Sequence, residues 1–470
     1  MTSRRWYSGR HVVVGGTGVT GAAVTRALRE VGARVTVFDR VDSPALAALA
    51  DSGVDVLVDP AELPGDLEQI VVSPGFRPDH PLLAGPLAAG IEVFSEPELA
   101  WRLRPNDTPW LTVTGTNGKT TTVTMLATIL RSAGLRATAV GNIGTPLIDA
   151  VLAGSDSGSE PYDVLAVELS SYQLHWSSTL APAAAALLNL ADDHLSWHGD
   201  FARYAAAKAK LWHSPETVAV GNIGDARVAE LLAAAPGRRV GFSLHTPASG
   251  QFGVVEDLLV DRAFTPDPAQ ATAVGTLGEI RPPGPHNVAN ALAAAALARS
   301  HGVDPAAVAA GLAAYQPEPH RNALVATRGG VAWVDDSKAT NPHAAEASLR
   351  GYPRVVWVAG GQLKGVDVAP LVATVADRLA GAVLLGVDRA EVADALRRHA
   401  PHVPVREVSR ADDGAMTEVV AAAAELARPG DTVLLAPAAA SLDMFPSYAA
   451  RGHAFAEAVE KLAAASPLDG

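Results

Sequence analysis

The chain reads as an α/β protein of three domains: a Rossmann-like N-terminal domain, a central P-loop ATPase domain and a Rossmann-like C-terminal domain. Three observations predict that class. Its 470 residues are too many for one core, and length alone suggests about three domains. Two short runs of β-formers, at 11–14 and 111–114, each enter a glycine-bearing turn and then a helical pattern. From residue 330 onward, strand after strand ends in a polar loop with helices between, as in a second Rossmann-like sheet. The proline-bearing stretches Pro97 to Pro109 and Gln316-Pro-Glu-Pro319 divide the chain into residues 1–105, 106–318 and 319–470.

In the first span, His11-Val-Val-Val14 feeds Gly16-Thr-Gly-Val-Thr-Gly21. Residues 22–31 are helical, and Arg34-Val-Thr-Val-Phe38 is a second strand ending in Asp39. A Gly-x-Gly-x-x-Gly turn before a helix holds a diphosphate at the helix N-terminus, and an acid after the next strand meets a ribose hydroxyl. Taken alone, the pattern says only that a nucleotide diphosphate binds; a nicotinamide dinucleotide is its commonest owner. Gln69-Ile-Val-Val72 is another strand. Its end, Ser73-Pro-Gly75, is either a ligand-contacting loop at the carboxyl edge of the sheet or a plain turn.

The second span opens on Leu111-Thr-Val-Thr-Gly-Thr-Asn-Gly-Lys-Thr-Thr-Thr122. Gly115 and Gly118 let backbone N–H groups point at a phosphate, and the helix dipole favours the anion. Lys119 supplies a point charge for the outer phosphates, and the Thr120 hydroxyl can ligate Mg²⁺. The Gly-x-x-Gly-Lys-Thr spacing is shorter than the usual phosphate loop, but the order of strand, glycines, lysine, threonine and helix is kept. ATP binding is the prediction.

Asp163-Val-Leu-Ala-Val-Glu168 is a buried strand whose terminal acid either holds Mg²⁺, directly or through water, or is a surface carboxylate. The strand from Ala184 to Asn189 ends at Ala191-Asp-Asp-His194, where His194 is a capping or packing residue or a contact to Mg²⁺ or phosphate. Phe201 to Trp212 is helical, and spacing alone makes Lys208 and Lys210 ordinary solvated lysines. Residues 237–280 are strand-and-turn material without a titratable cluster, a structural stretch. In Pro285-His-Asn-Val-Ala-Asn290, the amides of Asn287 and Asn290 share one helical face, to read a base or phosphate or to cap the helix.

In the third span, Arg321 follows the second boundary and either reaches a γ-phosphate or lies on the surface. Gly330 to Val334 is a strand running into Asp335-Asp-Ser-Lys-Ala-Thr-Asn341. Arg354-Val-Val-Trp-Val-Ala359 runs into Gly360-Gly-Gln-Leu-Lys-Gly365. Ala382 to Leu385 and Thr432 to Leu435 complete a parallel set.

Composition narrows the class. Apolar residues make up 48% and charged ones 19%, which suits buried cores and not disorder. A net charge of −13 argues against a nucleic-acid or anionic-membrane partner. With no cysteine, disulfides, thiolate metal sites and cysteine nucleophiles are excluded. Arg4-Arg5 precedes only the short Val12-Val13-Val14 run, and no 18-residue apolar stretch follows, so a soluble, cytoplasmic protein is expected. A dehydrogenase would leave Gly115 to Thr122 without work. A non-enzymatic nucleotide-gated protein would leave the polar strand ends of the last domain unexplained.

Together these residues resemble the Mur ligases of bacterial cell-wall synthesis over essentially the whole chain. The shared signs are Thr114-Gly-Thr-Asn-Gly-Lys-Thr120, Glu168 in Glu-Leu-Ser-Ser-Tyr-Gln173, Asp193-His194, His286-Asn287 and His320-Arg321. Within the family the likeness is to the members that add D-glutamate. Three features choose them: the N-terminal glycine unit with Ser73-Pro-Gly75, the stretch Asp336-Ser-Lys-Ala-Thr-Asn341, and the tail Ser441-Leu-Asp-Met-Phe-Pro-Ser-Tyr-Ala-Ala-Arg-Gly452. The Asp-Asn-Pro-Arg mark of a diaminopimelate-adding relative is absent.

The resemblance implies ATP, two Mg²⁺ ions and a CO₂-derived carbamate on Lys208. It implies UDP-N-acetylmuramoyl-L-alanine and D-glutamate as substrates, and a monomer whose C-terminal domain closes over the site. By the same likeness Gly16, Thr17, Gly18, Val19, Thr20, Asp39, Arg40, Ser73, Pro74 and Gly75 hold the uridine nucleotide, and Asn142 and His194 touch that substrate. Gly115, Thr116, Asn117, Gly118, Lys119, Thr120 and Thr121 serve ATP, with Asn287, Asn290, Arg321 and Asp336. Thr120, Glu168, His194 and Lys208 surround the metals, and the catalytic set is Lys119, Glu168, His194, Lys208 and Arg321. Lys338, Thr340, Lys364, Ser441, Leu442 and Tyr448 grip D-glutamate. Two positions depart from the family pattern: Tyr448 is more often Phe, and Leu363 stands where many relatives carry Asp.

Overall fold

Valine-rich runs buried on both faces become the central strands, because a parallel sheet must be covered by helices on each side. His11–Gly15 and Gln69–Val72 are buried at every position and lie side by side. The structure is a computed structural model describing residues 3–104, 107–153, 160–267, 269–317, 319–410, 412 and 414–465. It falls into two compact units, Met1–Glu279 with Ala289–Tyr315, and Ile280–Val288 with Gln316–Gly470. Among the described residues no helix is long and apolar enough to cross a membrane.

The first unit holds two sheets. One is five-stranded and parallel, in the order Asp55–Val58, Arg34–Asp39, His11–Gly15, Gln69–Val72, Glu92–Ser95. The other is nine-stranded. Its parallel part runs Gln251–Val255, Arg239–Phe242, Val218–Asn222, Ala184–Leu187, Trp110–Thr114, Val164–Glu168, Ala137–Gly141. Leu258–Asp261 and Thr272–Thr276 extend it as antiparallel strands. Residues 237–280 are thus the structural extension that their alternation predicts. Asp261 is fully buried there, 2.9 Å from Arg299 Nε, and it accepts the amides of Ala263 and Phe264. Register places Val113 beside Glu168 and Thr114 beside Leu187, so three strands deliver their carboxyl ends to one edge.

The second unit holds a six-stranded sheet in the order Ala323–Arg328, Val331–Asp335, Thr432–Leu435, Val355–Gly360, Leu379–Leu385, Val405–Glu407. All pairs are parallel except the first. The two edge strands were not anticipated: no residue of either is buried, and Val405–Glu407 is only three residues long. Trp357, buried at the centre, satisfies its indole N–H on the Ala436 carbonyl at 2.7 Å.

The first expected boundary stretch carries a helix. The first half of Pro97 to Pro109 is a helix, Glu96–Leu103, with Leu99, Ala100 and Leu103 buried. Pro97 suits the first helical turn, where its missing N–H costs nothing. The helix ties the smaller sheet to the larger. Glu96 accepts the Ile148 amide at 2.6 Å, and Glu98 accepts those of Ser178 and Thr179 at 2.9 and 3.1 Å. The boundary expected between residues 105 and 106 lies outside the described residues, as does Glu318 beside the second one.

Burial pushes the Glu96 carboxyl up to about 7, the Ile148 and Leu147 amides opposing it. The folded chain therefore keeps a proton that the unfolded chain releases near 4.5, and stability falls as pH rises from there to about 7. Glu96→Gln should flatten that decline, worth about 3 kcal/mol across the window. Urea midpoints taken from pH 5 to 8 would show it, and parallel profiles for the two proteins would contradict it.

Candidate active site

The five-stranded sheet gathers three turns at its carboxyl edge. Gly16–Gly21 leads into the helix Val19–Glu30, and the close pass of loop and helix requires glycine at 21, where a Cβ would lie 1.9 Å from the Gly16 carbonyl oxygen. Thr17 donates to Asp39 Oδ2 from its amide (2.8 Å) and its hydroxyl (2.6 Å), and the Arg40 amide donates to Oδ1. Burial alone would raise the Asp39 carboxyl, but these hydrogen bonds more than offset it and hold it below its ordinary value. Ser73 donates its amide to Gly15 and packs its hydroxyl against Gly16, and the Phe76 amide closes the turn through Pro74 and Gly75. Gly18 and Val19 are exposed and Thr20 is partly so. The structure thus brings together the residues expected at the nucleotide sugar, except Asn142 and His194.

The nine-stranded sheet builds the phosphate loop. Trp110–Thr114 enters Gly115–Gly118, and Lys119–Ser132 follows as a helix. Gly118 has a left-handed φ of 82°, and a side chain there would meet Asn290 Oδ1 at 2.4 Å. Thr120 donates its hydroxyl to Glu168 Oε2 at 2.7 Å, and Asn142 donates to Oε1 at 2.9 Å. Asn142 therefore sits with Glu168 and the phosphate loop. Lys119 Nζ donates to the carbonyls of Gly115 (2.9 Å) and Thr116 (2.8 Å). Thr121 is partly buried on the first helical turn.

Lys208 overturns its helix-surface expectation. It is 2% exposed, donates to the Gly115 carbonyl at 2.7 Å, and lies 4.8 Å from the Tyr204 ring centre. Helical spacing could not show that the face carrying Tyr204 and Lys208 turns inward, because alanine fills the positions between. Lys210 is also no free surface lysine; it donates to the carbonyls of His175 and Ser177. Burial, and then the neighbouring Lys119, hold the Lys208 amine well below its ordinary range, with Asp193 and Glu168 opposing.

His194 has a left-handed φ of 54°, rests 4.7 Å from the Tyr172 ring and lies 3.3 Å from Asp193. Burial lowers its pKa; Asp193 opposes, and Lys208 and Lys119 lower it further. Of the expected metal set, Thr120 and Glu168 are therefore joined directly, Lys208 lies beside the loop on the Gly115 carbonyl, and His194 packs against Tyr172 and Asp193. Among the described residues no group of three His, Asp or Glu side chains is arranged around one point for a metal.

Sequence reasoning missed Asn189 and Tyr204. Asn189 clamps Asn117, accepting its amide at 2.8 Å and donating to its carbonyl at 3.1 Å. The Tyr204 hydroxyl meets the Thr116 hydroxyl at 2.8 Å. A polar residue just past the end of a strand was the available signal for Asn189; nothing local marked Tyr204.

In the second unit, Asn287 Nδ2 is 3.0 Å from His286 Nε2. His320 Nδ1 and Asp335 Oδ2 are 2.5 Å apart and buried. Arg321 is partly buried. Asp336 accepts the Asn322 amide, and burial pushes its carboxyl up to about 7, with Arg321 among the groups opposing. Lys338 Nζ lies 4.0 Å from the Tyr448 ring centre, and the Thr340 amide donates to the Lys338 carbonyl. Lys364 is exposed with φ 55°, next to a bridge between Gln362 and Ala440 that brings its turn against Ser441. Ser441 is buried and Leu442 exposed. Leu363 is buried, its amide given to Asp388.

Two nucleotide-type turns and a C-terminal parallel sheet define a class, and the comparisons name it. Three family models match: the Mur ligase MurD-like N-terminal domain over 10–95, the Mur ligase middle domain over 113–298, and the Mur ligase glutamate ligase domain over 320–439. The chain belongs to the Mur ligase family.

Its curated relatives point to one branch. The UDP-N-acetylmuramoylalanine–D-glutamate ligase of Thermobifida fusca is 58% identical, covering 97% of this chain and 99% of its own. The ligase of the same name from Streptomyces coelicolor is 52% identical with the same coverage. Among solved structures, the UDP-N-acetylmuramate-alanine ligase of Thermotoga maritima matches with a TM-score of 0.58 at 18% identity, over 97% of this chain and all of its own. A pseudomurein peptide ligase type C from Methanothermus fervidus gives 0.57 at 20%, with the same coverage. These structures share the fold.

ATP suits the family and the loop. Lys119→Ala and Glu168→Ala should each lower ATP-dependent turnover by at least about a hundredfold while the chain still folds, since one removes the cation of the phosphate loop and the other the carboxylate bonded to Thr120. Phosphate release by the purified variants is the measurement. Near-normal turnover in either one removes that residue from the catalytic set.

Proposed function

We propose that this protein joins D-glutamate to UDP-N-acetylmuramoyl-L-alanine at the expense of ATP, making a peptidoglycan precursor in the cytoplasm, and that it works as a monomer. The observation that carries the reading is the full-length likeness to D-glutamate ligases together with an intact phosphate loop, where Lys119, Thr120 and Glu168 stand in bonding register. Residues 1–105 take the uridine nucleotide, 106–318 the ATP, and 319–470 the D-glutamate. Asn287, Asn290, Arg321 and Asp336 are assigned to ATP by the family likeness. Phosphate release that requires both UDP-N-acetylmuramoyl-L-alanine and D-glutamate tests the reading; release without either one refutes it.

A carboxylate is a poor acyl donor until one oxygen becomes a good leaving group. The substrate carboxylate therefore attacks the γ-phosphorus, ADP leaves, and an acyl phosphate forms. Lys119 and Arg321 offset the charge that gathers as two anions meet. The D-glutamate amine then attacks the carbonyl carbon, a tetrahedral oxyanion forms, and phosphate departs. The amine proton passes to His194 or to water. Burial, the largest cause, lowers the His194 pKa and leaves the imidazole neutral near pH 7, the form that can accept a proton.

Thr120 and Glu168 would hold Mg²⁺, a hydroxyl and a carboxylate being the oxygen donors that a hard cation takes. Their oxygens are already neighbours, the Thr120 hydroxyl donating to Glu168 Oε2 at 2.7 Å. By the family likeness His194 and a Lys208 carbamate would join them around the two ions. Bound Mg²⁺ would supply positive charge at the phosphate oxygens.

An ammonium at Lys208 would repel such ions, whereas a carbamate gives oxygen donors. The neutral amine attacks CO₂ at carbon, an N–C bond forms, one C=O electron pair moves to oxygen, and the nitrogen loses a proton. Burial of Lys208 favours the neutral amine that this step needs.

Two outcomes are expected. Lys208→Ala should be nearly inactive, and a short carboxylic acid in solution should restore part of the activity. An active Lys208→Ala enzyme, or a high-resolution map with a bare amine and both metals bound, contradicts the carbamate. Lys364→Ala should raise the KM for D-glutamate far more than that for ATP; equal effects would put Lys364 at the nucleotide.

A further inference from the structure

The tail that resembles the D-glutamate branch carries, next to its last residue, an arginine to which the reading above gives no task. Arg451 is 1% exposed, in the first turn of the helix Tyr448–Ala465. Its Nε donates to Ser337 Oγ at 2.9 Å and its Nη2 to the Ser337 carbonyl at 2.9 Å. Its Nη1 donates to the carbonyls of Ala439 (3.1 Å) and Gly360 (3.5 Å). These four acceptors are neutral oxygens. They lie where Val331–Asp335, Val355–Gly360 and Thr432–Leu435 give way to their loops. The three loops carry Lys338 and Thr340, Lys364, and Ser441 and Leu442. Ser337 extends the link, since its hydroxyl donates to the Tyr448 carbonyl at 2.8 Å and the Tyr448 ring faces Lys338.

A buried cation is costly, and an apolar side chain of the same volume often serves stability as well or better. Burial pulls the Arg451 guanidinium down to about 10, with Asp443 and Asp335 opposing at longer range. What an apolar residue cannot do is bind three loops at once. The planar guanidinium has five donors in a fixed fork and sets the relative positions of its acceptors.

We propose that Arg451 is a positioning residue for the amino-acid substrate: it fixes the three strand-end loops in one register, so that their side chains converge on the two carboxylates of D-glutamate. The proposal rests on the D-glutamate reading of these loops. It makes Arg451 act through Ser337, Gly360 and Ala439 without touching substrate.

Arg451→Lys keeps the charge and loses the fork. It should raise the KM for D-glutamate by about ten- to a hundredfold, leaving those for ATP and UDP-N-acetylmuramoyl-L-alanine within about twofold. If Arg451→Lys does not fold, Ser337→Ala removes one acceptor without moving the charge and should give the same split on a smaller scale. A purely structural role would lower the melting temperature with all three KM values unchanged, or raise all three together; either result overturns the proposal. The wild-type control separates the two layers. Phosphate release that ignores D-glutamate refutes the ligase reading and this proposal with it, whereas normal wild-type dependence with no split in the variants refutes the role of Arg451 alone.

Discussion

Two lysines meeting at one carbonyl oxygen organise the central site. Lys119 and Lys208 approach the Gly115 oxygen to 2.9 and 2.7 Å, so their nitrogens are at most 5.6 Å apart. Two full charges at that separation would repel by about 3 kcal/mol at an effective dielectric of 20. Asp193 and Glu168 offset part of this, but Glu168 is already engaged by Thr120 and Asn142. The arrangement is relieved in two ways, by an arriving polyanion or by loss of charge at Lys208. Both fit a site that handles phosphates, and the second explains how a lysine can be buried where spacing alone puts it in water.

The same logic of strand ends runs through all three sheets. A parallel strand covered on both faces has room for polar chemistry only past its last residue, and there it lies next to the ends of its neighbours. Asp39 and Glu168 end their strands and Asp336 follows one, and each is met by a donor from an adjacent segment: Thr17, Thr120 and Asn322. Arg451 does for the third sheet what Asn189 does for the phosphate loop, fixing backbone atoms so that other side chains can work.

What the sequence made legible followed from this pattern. Apolar runs ending in glycine or an acid located the central strands and the turns at Gly16, Gly115 and Ser73, because burial and turn geometry are local demands. Edge strands such as Ala323–Arg328 and Val405–Glu407 escaped, since a strand open to water has no composition of its own. Pro97 marked a helix start that the sequence reading did not specify, because proline opens a helix as readily as it ends one. Lys208 and Arg451 were harder still. Their burial depends on partners 93 and 114 residues away in the chain, and no local spacing carries that information.

Separation along the chain has a further consequence for how the protein is made. The phosphate loop leaves the ribosome early, but its strand is flanked by Val164–Glu168 and Ala184–Leu187, its lysine partner is Lys208, and the side chain packed on Gly118 is Asn290. At roughly 5–20 residues per second, Asn290 emerges about ten to thirty-five seconds after Gly115. Throughout that interval the glycine turn and its β-forming strand are synthesised but cannot close. A nascent chain stalled short of residue 290 therefore lacks the side chain that packs on Gly118, and the phosphate loop gains its full set of neighbours only late in translation.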